Sequence, residues 1–393
     1  MDINTRSAGA PISTAAAPTS IDKQRILSLD ALRGLTVALM ILVNNAGDGA
    51  SSYRQLRHSV WNGCTLTDVV FPLFLFIMGV STAISFQSRI AKGANHGEIM
   101  RQVFRRTALI ILIGLALNAL PIPNLATLRY FGVMQRIGLC YVASALALLA
   151  FRLKGVMLIA GLSVLGYWLL LTKVPVPGFG LPGTDVPILD PKGNLASYID
   201  RLLIPQSHRY HFSFYDPEGI LSTLPAIAST CLGVLTGIWI TRRDVPTPRK
   251  LTAMLVMALL LTSCGLAWSQ SFPLNKRLWT SSYVLFTAGI SLALLTFLMW
   301  IVDEKRLLRR SLEPFLAFGA NALTAYVFSE VLSIALGSIP MRRFGTLQAC
   351  LYHLIPTALG SAAFRSLIWS ILFVIFCWLP VFYLRRRRIV VKL

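Results

Sequence analysis

Acidic residues are scarce in this chain. It holds 16 Asp and Glu against 37 Lys and Arg in 393 residues, and all four types together make up only 13%. Soluble domains carry about 25% charged residues, so a solvated globular surface over the whole length is excluded. The five histidines (His58, His96, His208, His211, His353) fall in four separate connections and form no HExxH, so no metal site is expected. A Gly-rich phosphate loop and a serine nucleophile elbow are both missing. The six cysteines form no CxxC pair. Most sit in apolar stretches, which reads as packing rather than a disulfide framework. Residues 1–22 are rich in Ala, Ser, Thr and Pro but lack an apolar core, which excludes a signal peptide. Residues 1–24 are expected to be a disordered cytoplasmic tail.

What the chain has in abundance is hydrophobic sequence, 55% of all residues. A helix needs roughly 20 mainly apolar residues to cross a bilayer. Ten such segments can be drawn, at about 31–45, 66–86, 104–120, 131–151, 155–172, 219–240, 251–268, 280–301, 314–336 and 366–384. The expected fold class is therefore an all-α integral membrane protein. About ten helices form one bundle in a single domain, residues 25–393. The net charge of +21 follows the same plan. Sorted by alternate connections, 24 of the 37 basic residues fall on one side and 12 on the other, with Arg136 inside a span. Basic residues stay in the cytoplasm, so both termini are expected inside. The charge is thus a topology signal with attraction to anionic lipid. No basic helix with interleaved aromatics stands outside the membrane, so nucleic acid is not expected as a partner. The longest outer connection, about 173–218, is dense in Pro and Gly, and irregular structure capping a cavity is expected there.

Several polar residues inside the spans need an account. Asp30 and Arg33 lie one turn apart at a helix start, which suits a local ion pair. Arg136 and Glu330 are costly in a span unless paired or facing water. Gly233 and Gly237 form a GxxxG, for which close helix packing is the ordinary reading. The stretch 57–79, RHSVWNGCTLTDVVFPLFLFIMG, sets a His and an Asp at the mouth of a span. Alone, Asp68 suits a helix cap and His58 an interfacial residue beside Trp61. Together with the amides Asn44 and Asn62 they form a polar cluster at one membrane face. A neutral imidazole accepts a proton near pH 7, and a carboxylate can fix its tautomer.

The order SLDALRG (28–34), ILVNNAG (41–47) and HSVWNGCTLTDVVFPLFLFIMG (58–79) resembles the heparan-α-glucosaminide N-acetyltransferase family. So do LRYFGVMQRIGLCY (128–141), YIDRLL (198–203), YDPEGILSTLPAIASTCLGVLTG (215–237), NKRLWTSSYV (275–284) and PFLAFGANALTAYVFSEV (314–331). The likeness runs in order from about residue 25 to 385. It implies a membrane enzyme that passes acetyl from cytoplasmic acetyl-CoA to an amino sugar, free or in an oligosaccharide. His58 would be base or acetyl carrier, with Asn44 and Asp68 as its catalytic partners. Trp61, Asn62 and Glu218 are the expected substrate-binding positions. Arg33, Arg105, Arg106, Arg129 and Arg136 are candidates for the CoA phosphates, each with topology as its simpler explanation. The animal enzyme has a leading segment and helix that this chain is expected to lack, as bacterial relatives do. That points to a bacterial inner membrane, with His58 toward the outer face. Family members are often dimers, so a homodimer is expected on the same ground. The loop GDGASSYRQLRHS and the stretch QSHRYHF depart from the family, so the reaction type carries over and heparan sulfate does not. A sugar permease without acyl chemistry, or O-acetylation of a cell-envelope glycan, are the rival readings.

Overall fold

The computed structural model describes residues 26–122, 124–309 and 311–391, so the expectation for residues 1–24 lies outside the described part. In chain order the helices are α1 (Leu27–Asn44), α2 (Leu66–Ile90), α3 (His96–Ala119), α4 (Val133–Lys173), α5 (Leu195–Leu203) and α6 (Thr223–Thr241). Then follow α7 (Thr247–Trp268), α8 (Ser281–Leu298), α9 (Glu313–Ala320), α10 (Ala322–Ser338), α11 (Leu347–His353) and α12 (Ala362–Arg386). The one regular sheet among the described residues is a two-stranded hairpin, Pro340–Met341 against Gly345–Thr346. Among the described residues, eight helices are long and apolar enough to cross a membrane, or up to nine if the bent pair α9–α10 counts as one span.

Helix α4 carries two of the ten segments drawn from the sequence. Its 41 residues are interrupted at Arg152, where φ is 54° and ψ is −154°. The guanidinium of Arg136 lies 5.1 Å from the centre of the Trp279 ring. The Tyr167 hydroxyl donates to the carbonyl of Leu278, the preceding residue, at 2.5 Å. A straight helix would hold residues 136 and 167 about 46 Å apart. Since both meet one short loop, α4 is a hairpin folded at Arg152, and the segments 131–151 and 155–172 run back to back.

The segment drawn at 314–336 differs in the opposite way. It is broken at Asn321, and its halves α9 and α10 are bent by 87°. The Asn321 side chain donates to the Ile389 carbonyl and accepts from the Val391 amide, so the break is held by backbone beyond α12. A hydropathy window is blind to such a bend because both halves are apolar. Helix α3 starts eight residues before its predicted apolar segment, since its first two turns are polar and capped by the Asn95 side chain on the Gly97 amide.

Helices α2 and α6 form the centre, 72% and 67% buried over their apolar windows, whereas α3, α7 and α12 are only 22–28% buried. Leu255, Val256, Leu259 and Leu260 on α7 all stay exposed. A helix apolar all round with bare leucines is matched to lipid, not water. The central pair approaches closely because it has no side chains in the way. A Cβ on Gly79 would sit 2.0 Å from the Thr230 carbonyl oxygen, and one on Gly233 would sit 2.0 Å from that of Phe76. The GxxxG of α6 is thus a packing seam. The chain is an integral membrane protein with a helical bundle. The six cysteines are all free.

Candidate active site

The site begins with a capping box. Helix α2 starts with Thr65 as N-cap and Asp68 three residues on. Asp68 Oδ2 accepts from the Thr65 amide (3.0 Å), the Thr65 hydroxyl (3.0 Å) and the Ser59 amide (3.1 Å). These donors and the helix N-terminus hold a carboxylate that is fully buried. Oδ1 is left for His58, whose Nδ1 lies 2.8 Å away. A carboxylate only accepts, so Nδ1 carries the hydrogen and Nε2 keeps its lone pair. The imidazole itself is 44% exposed, so the free nitrogen is reachable.

Pro72 explains a second tie. It has no N–H, so the Asp68 carbonyl four residues back has no helical partner. The Tyr283 hydroxyl donates to that carbonyl at 2.6 Å. An orphaned carbonyl created by a proline is thereby used to lock α8 onto α2 at the carboxylate that holds His58.

The loop before α8 completes this wall. The Gly63 amide donates to the Leu274 carbonyl at 2.7 Å, and Asn275 Nδ2 donates to Asn62 Oδ1 at 3.1 Å. Gly63 has φ +112°, a conformation that favours glycine. This stitching sets Lys276 Nζ 3.0 Å from His58 Nδ1, 3.2 Å from Nε2 and 4.0 Å from Asp68 Oδ1. Burial pushes the Lys276 pKa down, against the pull of Asp68 and Glu218. Cys64 is next to the cluster, but burial holds its thiol up at about 12, so it is no thiolate nucleophile.

A cavity of about 200 Å³ opens on this wall, and its lining includes Asn44, His58, Asp68, Arg129, Glu218 and Lys276. The facing wall is an ion cluster of one arginine and two carboxylates. Arg129 donates from Nε to Asp216 Oδ2 (3.0 Å) and from Nη2 to both Asp216 Oδ1 (2.5 Å) and Glu218 Oε2 (2.6 Å). Its guanidinium also covers the Tyr210 ring at 4.6 Å. Burial alone would raise the Glu218 pKa. Arg129, with help from Arg136 and Lys276, outweighs burial and holds the carboxyl below its ordinary value. Glu330 of α10 lies beside Asn44 and Tyr326.

The predicted positions separate cleanly by place. His58, Asn44, Asp68, Arg129 and Glu218 line one cavity. Trp61 and Asn62 stand behind the imidazole. The Trp61 indole donates to the Leu189 carbonyl at 2.7 Å and meets the Tyr215 ring edge-on, so it ties the long connection to the site. Arg136 is buried beneath the loop, donating to the Ser222 hydroxyl (2.5 Å) and the Gly219 carbonyl (3.3 Å). Arg33 is paired with Asp30 and donates to Ser81, roughly 16 Å along α1 from Asn44. Arg105 and Arg106 are exposed on α3, about 20 Å along the helix from its cavity end. Lys276, Tyr283 and Asp216 were not singled out from the sequence. The first two lie in the block NKRLWTSSYV and the third in YDPEG, both quoted above for their likeness, and the Asp68–Pro72 spacing was the signal for a freed carbonyl.

These features define a class: a membrane-embedded helical bundle with an imidazole–carboxylate pair in a polar cavity at one end. The family model for the catalytic region of heparan-alpha-glucosaminide N-acetyltransferase matches residues 25–193, which include Asn44, His58 and Asp68. A heparan-alpha-glucosaminide N-acetyltransferase of Mus musculus is 30% identical over 359 residues, covering 78% of this chain and 54% of the mouse protein. The protein of the same name from Homo sapiens is 31% identical over 360 residues, covering 78% and 53%. The chain is thus similar to the heparan-alpha-glucosaminide N-acetyltransferase family. It spans about half the length of these relatives.

Proposed function

We propose that this protein is a membrane acetyltransferase that moves acetyl from acetyl-CoA to the primary amine of a glucosamine-type sugar. The observation that carries the reading is the His58–Asp68 pair: one imidazole nitrogen is fixed by a buried carboxylate, and the other meets only the Lys276 amine on a ring that lines a cavity. The acceptor reaches the site as an ammonium and must lose a proton before it can attack. His58 Nε2 takes that proton, and Asp68 stabilises the imidazolium formed, a contribution on the order of 10²–10⁴-fold. The amine nitrogen then attacks the thioester carbonyl. Asn44 lines the same cavity, and a side-chain N–H not used toward Glu330 would donate to the oxygen as it gains charge, a contact worth about 10²–10³-fold. In the covalent variant, Nε2 itself takes the acetyl and hands it on.

The cavity lies below the 300–1,000 Å³ range of small-molecule sites, so it suits an acetyl group and the amine end of a sugar rather than a whole CoA. The nucleotide part of the donor would lie outside it. Arg33, Arg105 and Arg106 are positioned toward the opposite end of the bundle, where basic residues are dense. With each arm of the α4 hairpin and the bent pair α9–α10 taken as one span, ten crossings result. An even number leaves both termini on one side of the membrane; the excess of basic residues on that side supports the cytoplasm, with His58 toward the outer face of a bacterial inner membrane. The direct test uses purified, detergent-solubilised protein with labelled acetyl-CoA and a panel of amino sugars. CoA release coupled to N-acetylation of glucosamine-type acceptors is expected, and it should vanish in His58→Ala. Turnover retained in that variant would remove His58 from the mechanism.

A further inference from the structure

Lys276 presents the active site with an amine of its own. The residue lines the cavity, and its Nζ sits within 3.2 Å of both imidazole nitrogens. Since Nδ1–H is committed to Asp68, the nitrogen that can accept from Lys276 is Nε2. That lone pair is the one the sugar ammonium would use. Lys276 therefore occupies, from the protein side, the position of an acceptor: a primary amine in contact with the base and open to the cavity. Glu218 and Arg277 line the same cavity, and the side chain of Lys276 is 17% exposed, so the amine is neither sealed off nor freely solvated.

We infer that Lys276 is a self-acetylation site: when acetyl-CoA is bound without an amino sugar, the acetyl group passes to Lys276 Nζ. The inference rests on the acetyltransferase reading above. The neutral amine attacks the thioester carbonyl carbon, so a C–N bond forms and the C–S bond breaks. The surplus amine proton goes to His58 Nε2 and from there to the departing CoA sulfur, leaving N-acetyl-lysine, free CoA thiol and an unchanged His58. Burial supports the step because it favours the uncharged, nucleophilic amine. The product is an amide, which does not pass its acetyl on. It also removes the positive charge beside His58 and adds bulk to a cavity of about 200 Å³. A chain that has acetylated itself is thereby switched off. Bound acceptor protects the enzyme, because its amine takes up the base's lone pair in place of Lys276.

The experiment incubates the full-length protein in detergent with acetyl-CoA labelled in the acetyl group, with and without glucosamine. The chain is then digested and the peptide bearing Lys276 is read by mass spectrometry. The exposed residues Lys154 and Lys192 report uncatalysed acetylation in the same sample. The expected result is a hydroxylamine-stable acetyl on Lys276 that approaches one per chain and far exceeds that on the two references. It should form on the order of 10²-fold more slowly in His58→Gln and be suppressed by glucosamine. The fraction of chains able to acetylate glucosamine should fall in step with the label, and Lys276→Arg should carry none at this position. Equal labelling of Lys154, Lys192 and Lys276 overturns the proposal. So does an unmodified Lys276 in protein that still acetylates glucosamine, and so does a label found only as hydroxylamine-labile acetyl-imidazole; both leave the acetyltransferase reading standing. Acetyl on neither sugar nor protein overturns that reading itself.

Discussion

Two charged walls face each other across the cavity, and their hydrogen bonding is finished to different degrees. Arg129 is held through Nε and Nη2 by two carboxylates and covered by a ring, and Asp216 also accepts from the Tyr210 and Glu218 amides. Opposite it, Asp68 is equally well satisfied, yet His58 keeps one nitrogen for a partner that can leave. An arginine held between two carboxylates resists proton movement, because each protonation change would strand a charge. An imidazole anchored at one end only can gain and lose a proton without breaking its anchor. On the proposed mechanism, the first wall gives shape and the second gives chemistry.

The largest effect should come from the wall that does chemistry. His58→Ala is expected to cut acetyl transfer by about 10²–10⁴-fold while the melting temperature in detergent stays near that of the parent. A large fall in melting temperature would show that the imidazole is structural and would erase the distinction between the walls. Arg129→Met should do the reverse. It strands Asp216 and Glu218 without their cation, so a stability loss of about 3–5 kcal/mol is expected by thermal or denaturant unfolding. Adding Glu218→Gln should recover part of it, and no recovery would mean that Glu218 is not the stranded group. Tyr283→Phe sharpens the comparison inside the second wall. It leaves the Asp68 carbonyl without a donor, which costs about 1–3 kcal/mol, and it should lower turnover by loosening the carboxylate under His58.

The smallest effect concerns the support behind the first wall. Asp200 accepts from the Asp216 and Ile220 amides, and burial pushes its carboxyl up to about 6 from an ordinary 3.8. A carboxyl that holds its proton more tightly when folded contributes stability in full below the ordinary value. That contribution is lost as pH rises through about 6. Melting temperatures from about pH 4 to about pH 7 should therefore drift downward on this account, and Asp200→Asn should flatten the drift. An unchanged slope in the variant would assign the drift to another group.

Much of the bundle could be read from the chain because lipid enforces a simple rule, that about 20 apolar residues make a crossing. The two arms of α4 were drawn as separate segments, and the chain does reverse between them at Arg152. The basic residues Arg152 and Lys154 and the length of the apolar run marked the reversal. The bend at Asn321 was not legible, since it depends on backbone near residue 390 that no local pattern announces. The site divides in the same way. Asp68 was visible as a cap because Thr65, Asp68 and Pro72 are neighbours in sequence. Lys276 was not, because it meets His58 across 218 residues and only the loop stitching at Asn62 and Asn275 brings them together. Arg129 was visible as a basic residue, but not as the partner of Asp216 and Glu218, which lie 87 and 89 residues further on.

The bond from Tyr283 to Asp68 has a consequence for how the protein is made. The two residues are 215 apart, so during synthesis α2 enters the membrane long before α8 exists. Until then the proline-freed carbonyl can be met only by water at the membrane face, and α2 lacks its tie to α8. The Asp68 carboxylate thus acquires its final setting among the late steps of assembly. A ribosome-bound chain ending before residue 275 should remain more sensitive to protease at the start of α2 than one that extends past residue 298.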